Sequence, residues 1–121
     1  MRDISLATLL LPLLFGTPAA FAHAFLDHAS PSVGSTLQRA PTSVSIWFTQ
    51  ELEPAFSTII VMDQAGNRVD SGEAHVDTSD ATLLRVSLRP LSPGIYKVSW
   101  RVVSVDTHAT DGTFTFTVIG G

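Results

Sequence analysis

The sequence predicts an all-β domain, a sandwich or barrel, and three observations carry that prediction. Apolar and polar residues alternate with a period of two through several separate segments, the pattern of half-buried strands. Clusters of Pro, Gly, Ser and Asp separate those segments as turns. No stretch has the period of an amphipathic helix, and no strand–helix–strand unit is visible. Immunoglobulin-like topology fits the 99 residues that follow the first 22 of 121.

The chain opens on a segment of a different kind. Arg2 forms a short basic start offset by Asp3, Ile4 to Phe15 is almost wholly apolar, and Ala20-Phe21-Ala22 has the small-x-small form of a signal-peptidase site. A membrane anchor is the alternative, but it needs roughly 20 apolar residues, and Gly16-Thr17-Pro18 breaks this run too early. Residues 1–22 are therefore expected to be a cleaved signal peptide and residues 23–121 a single exported domain. Cleavage after Ala22 makes His23 the first residue. A leading histidine offers two adjacent nitrogen donors, its α-amine and its imidazole, which can close a chelate ring on a metal.

His23 to Pro31 is expected to form the first strand. Val44, Ile46 and Phe48 alternate with Ser43, Ser45, Trp47 and Thr49 in the next. Phe56 to Met62 forms another, closed by the turn Asp63-Gln64-Ala65-Gly66, with Met62 in the core. Leu84, Val86 and Leu88 alternate with Arg85 and Ser87 before Pro90 and Ser92-Pro93-Gly94. Tyr96, Val98, Trp100 and Val102 line the apolar face of the following strand, and Phe114, Phe116 and Val118 that of the last. Trp47 has polar neighbours in parity, so it either covers a metal site or caps a sheet edge.

Composition narrows the function. Eleven acidic residues against seven Lys and Arg give a net charge of −4, which argues against a nucleic-acid partner. With no cysteine, thiolate metal sites are excluded and the domain is held by its core alone. Met62 is the one methionine beyond the leader, so soft Cu(I) sites are poorly supplied, while imidazole and carboxylate suit Cu(II) or Zn(II).

Between the last two strands lies Ser104-Val105-Asp106-Thr107-His108-Ala109-Thr110-Asp111-Gly112, expected to be a loop. Asp106 and His108 are two apart, so in extended backbone they leave the same face. With the amine and ring of His23 they make a three-nitrogen, one-oxygen set suited to tetragonal Cu(II). Asp-x-His alone is a weak signal, and a solvated turn is its bland reading.

At this point the sequence resembles the CopC family of exported copper-binding, copper-resistance proteins. His23-Ala24-Phe25-Leu26 with Ser30-Pro31 is similar to the mature N-terminus of that family. Gly94 to His108, running on through Gly112 to Phe114 and Phe116, is similar to its most diagnostic segment. The resemblance implies an immunoglobulin-like Greek-key β-sandwich of about seven to nine strands. It implies one Cu(II) per chain, held by His23, Asp106 and His108. It further implies a periplasmic copper buffer or carrier rather than an enzyme, with an inner-membrane transporter of the CopD type as a partner, the mature chain being monomeric and not inserted in the membrane.

Two departures stand out. Some relatives carry a Cu(I) site in a methionine-rich loop, where this chain has Met62 to Arg68 with a single methionine. Some carry a Glu after an early Phe-Ser, where this chain has Phe48-Thr49-Gln50-Glu51; Glu51 is a candidate auxiliary ligand. Elsewhere, His28 should lie on the face opposite His23 and be a surface histidine. His75, among Glu73, Asp77 and Asp80, reads as a solvated loop or a weak second metal site. Arg101, Thr107 and Asp111 are candidates to support the ligands from behind. Two rival functions remain at the level of sequence: a copper oxygenase built on an N-terminal histidine, and a metal-free immunoglobulin-like interaction module.

Overall fold

The computed structural model describes residues 23–120. The leader expected over residues 1–22 lies outside the described residues. Eight strands are present among them: β1 (Leu26–Ser30), β2 (Thr36–Leu37), β3 (Ser43–Phe48), β4 (Thr58–Met62), β5 (His75–Val76), β6 (Leu83–Ser87), β7 (Gly94–Val103) and β8 (Ala109–Val118). They form two four-stranded sheets, β1-β3-β6-β5 and β2-β8-β7-β4. All pairings are antiparallel except β2 with β8. The two sheets face each other as a β-sandwich, which is the expected class.

The period-two pattern places the core. From the first sheet come Val44, Ile46, Phe48, Leu84 and Val86; from the second come Ile59, Val61, Tyr96, Val98, Trp100, Val102, Phe114, Phe116 and Val118. Phe48 meets Trp100 edge-on across the sandwich, with ring centroids 5.1 Å apart. Truncating such a buried ring to alanine typically costs ~3–5 kcal/mol, transfer energy plus cavity. Trp100 also needs Gly112, its partner on β8: a Cβ there would lie 2.5 Å from the indole Cζ2. The Trp100–Gly112 register therefore fixes how β7 and β8 pair immediately beyond the loop that joins them.

Several boundaries differ from the sequence expectation, for local reasons. Pro54–Phe56 is a single 3-10 turn, so β4 begins at Thr58 and not at Phe56. Met62 is 37% exposed rather than buried. The cause is parity: Ile59 and Val61 take the inward positions of β4, which turns Met62 outward. The loop expected over residues 104–112 is shorter, because β8 already begins at Ala109. β2 and β5, two residues each, were too short for an alternating pattern to reveal.

Candidate metal centre

His23 reaches its place because the residues after it are tied to two different sheets. Ala24 is fully buried. Its carbonyl accepts the Thr110 hydroxyl of β8 at 2.6 Å. The Thr49 hydroxyl accepts the Phe25 N–H at 2.9 Å and lies 3.4 Å from the His23 carbonyl. The Thr49 N–H in turn donates to the Phe25 carbonyl. These contacts clip the start of the domain over one end of the sandwich, between β3 and β8.

Asp106 and His108 arrive at the same end on the tight connection between β7 and β8. The loop closes through Ser104, whose N–H donates to the His108 carbonyl at 2.9 Å and whose carbonyl accepts the Thr107 N–H at 2.8 Å. Thr107 sits at φ 74°, in the left-handed region, and its hydroxyl donates to the Asp106 carbonyl. His108 Nδ1 lies 3.3 Å from Asp106 Oδ1, with both side chains about half exposed. The Ser104 hydroxyl donates to the same Asp106 oxygen. That hydrogen bond is the main reason the Asp106 carboxyl is held below the usual carboxylate range; desolvation opposes it, and His108 adds a smaller lowering.

The two histidines meet. The His23 and His108 ring centroids are 4.5 Å apart with an interplanar angle of 23°, and Phe25 extends the stack on His23 at 6.1 Å. The fold therefore gathers His23, Asp106 and His108 at one place. It does not converge their donor atoms: no group of three or more His, Asp or Glu among the described residues is arranged to hold a metal. The physical reason is the stack. Imidazole lone pairs lie in the ring plane, so two rings lying nearly face to face aim them side by side and not at a shared point. The residue types, imidazole and carboxylate, are donors that suit Cu(II).

The other candidates separate cleanly. His28 stacks on Trp47 at 4.4 Å and 7°, and its Nδ1 lies 2.7 Å from Asp27 Oδ2. Trp47 thus covers His28 rather than the His23–His108 pair. Glu51 lies beside the site loop through its carbonyl, which accepts the Val105 N–H at 3.0 Å; among the described residues no ion pair joins its carboxylate to His23 or His108. Asp111 does not support His108 from behind: it faces Arg101, 3.8 Å away and directly across the β7–β8 ladder, on an exposed surface. His75 lines a shallow cleft with Val76, Asp77, Thr78, Arg85 and Ser87. Thr49, Ser104 and Thr110, which position the candidate ligands, were not singled out by sequence. The parity of Thr110 with His108 was the available signal for one of them.

With this geometry in view, the comparisons with known proteins decide the family. Residues 26–119 match the CopC domain.

The chain belongs to the CopC family.

It is 33% identical over 118 residues to protein YobA of Escherichia coli K12, covering 97% of this chain and 95% of that one. It is also 33% identical over 111 residues to copper transport protein CutJ of Bacillus subtilis 168; that match takes in 91% of this chain but only 20% of CutJ, so the chain spans about a fifth of that relative's length. The crystal structure of CopC from Methylosinus trichosporium OB3b superposes with a TM-score of 0.76 at 34% identity, covering 81% of this chain and 95% of that one. Among them CutJ is named as a copper transport protein, and the CopC structure shows the β-sandwich to be the family fold. No helix among the described residues is long and apolar enough to cross a membrane.

Proposed function

We propose that this protein is a periplasmic Cu(II) buffer or carrier of copper homeostasis and resistance, binding one Cu(II) per chain. The ligands are the α-amine and imidazole of His23, freed by cleavage after Ala22, with Asp106 and His108. One observation carries the reading: His23, at the start of the domain, and His108, near its end, stack at 4.5 Å beside the Asp106 carboxylate. Nothing in β-sandwich packing requires two partly exposed imidazoles and a carboxylate from such distant positions to meet. Their shared chemistry is metal binding.

The same donor set favours carriage over catalysis. Two nitrogens from His23, one from His108 and one Asp106 oxygen complete a tetragonal plane, whereas copper oxygen chemistry needs an open position. The mature chain acts as a monomer and passes copper to an inner-membrane transporter of the CopD type. The CutJ match supports that partnership, because there a segment similar to this chain is one part of a much longer copper transport protein.

The test is a competition titration with a chromophoric Cu(II) chelator, on protein exported from cells expressing the full chain. One equivalent of Cu(II) should bind, and His108→Ala should weaken it by at least ~100-fold, beyond the ~10–100-fold typical of losing a group behind a ligand. Unchanged affinity in His108→Ala would show the ligand set to be wrong.

A further inference from the structure

The proposed copper site depends on how Asp106 and His108 are held, and one buried residue behind the loop contacts both. Ser104, immediately after β7, is 1% exposed. A hydroxyl has one hydrogen to donate and lone pairs to accept with. Here the hydrogen goes to Oδ1 of Asp106, whose charge makes it a stronger acceptor than the His108 carbonyl, 3.2 Å from the same hydroxyl. The Ser104 oxygen accepts the His108 N–H at 3.3 Å. The Ser104 backbone closes the loop from the other side, to the His108 carbonyl and the Thr107 N–H. This closure holds Thr107 at φ 74°, a region that β-branched residues seldom adopt without support from their surroundings.

The consequence is the assignment of a donor atom. Oδ1 of Asp106 is occupied by the Ser104 hydroxyl and faces Nδ1 of His108 at 3.3 Å. With Oδ1 taken by the Ser104 hydroxyl, Oδ2 of Asp106 is the carboxylate oxygen left for a ligand. We propose that Ser104 is the positioning residue of the copper site, orienting the Asp106 carboxylate through Oδ1 so that Oδ2 is its metal donor, and holding the His108 backbone beside it. The assignment rests on the ligand set proposed above.

The experiment measures Cu(II) affinity by competition and the Cu(II) electron paramagnetic resonance spectrum, on protein exported from cells expressing the full chain. Four proteins are compared: wild type, His108→Ala, Ser104→Ala and Ser104→Thr. Ser104→Ala should lose ~10–100-fold in affinity and change the parallel hyperfine splitting, as expected when a group that orients ligands is removed. Ser104→Thr keeps the hydroxyl and should restore both. Wild-type affinity and spectrum in Ser104→Ala, with copper lost in His108→Ala, overturns the positioning role and leaves the ligand set standing. No copper binding by the wild type overturns both. If circular dichroism shows Ser104→Ala unfolded, Ser104→Thr is compared with the nearly isosteric Ser104→Val. A loss confined to Val supports the proposal, and equal affinities overturn it.

Discussion

Two regions of the molecule put histidine beside carboxylates, and they differ in what the carboxylates are committed to. In sequence the richer one is Glu73, His75, Asp77 and Asp80, four donors within eight residues. In the fold, Asp77 Oδ2 accepts the Ser79 N–H and its Oδ1 lies 3.5 Å from Arg85 Nη1. Asp80 Oδ1 accepts both the N–H and the hydroxyl of Thr82, which lowers its pKa from the ordinary value. His75 pairs across the ladder with Arg85, a fixed positive charge that disfavours a cation nearby. At the other region the donors are sparse in sequence, yet His23, Asp106 and His108 meet and the side-chain contacts of Asp106 lie within its own loop. For the copper site proposed above, local density of donors in sequence is therefore a poorer guide than the meeting of residues distant in sequence.

The sharpest way to break this contrast is to remove one histidine from each region. His23→Ala should lower Cu(II) affinity by at least ~100-fold, again exceeding the loss typical of a group behind a ligand, while His75→Ala should leave it unchanged. Competition titration reads both. Loss of copper in His75→Ala would reverse the assignment of the two regions.

The carboxylates give a smaller contrast. Asp106→Ala should weaken Cu(II) by ~10-fold, less than either imidazole, because oxygen is the weaker donor for Cu(II). Asp77→Ala should leave copper binding alone and lower the thermal midpoint, since its contacts are to a turn and to Arg85. Titration together with a calorimetric scan separates the two variants.

Proton competition is a further test. Imidazoles and the amine must lose their protons to bind, so copper affinity should fall steeply as pH drops from neutral into the mildly acid range. Asp106 should not set that window. Its folded-state value is lowered, so its contribution to folding is complete above the unfolded carboxyl range and is lost only as pH falls through the depressed value. Affinity measured at half-unit pH steps checks this; a single loss confined to the carboxyl range would contradict it.

The smallest effect concerns Met62. It is accessible, but it stands as the single thioether beyond the leader, so Cu(I) should bind weakly and Met62→Leu should change neither Cu(I) nor Cu(II) binding. A bicinchoninate competition assay reads the Cu(I) arm.

Much of the fold was legible because period-two alternation reports burial directly: Val98, Trp100, Val102, Phe114 and Phe116 face the core as their parity requires. Legibility failed where strands were too short to show a period, as in β2 and β5, and where parity was read without its register, as at Met62. At the candidate site, His108 and Asp106 were visible as a two-apart pair and His23 through the cleavage pattern before it. Ser104, Thr49 and Thr110 were not, because their roles are long-range or buried hydrogen bonds that leave no periodic trace. The bulge between Leu26 and His28 also breaks the simple parity from His23, so the separation of His28 from the site is seen in its contact with Trp47 rather than in counting.

The proposed copper site depends most directly on a free amine at His23. Protein exported from cells expressing the full chain is compared by Cu(II) competition titration with a form carrying one glycine inserted between Ala22 and His23, the N-terminus of each being verified by mass spectrometry. The added residue converts the His23 amine into an amide, a poor metal donor, and moves the imidazole off the chain end. The account predicts one tightly held Cu(II) on the chain beginning at His23 and much weaker binding on the extended one. Equal affinity in the two forms would contradict it.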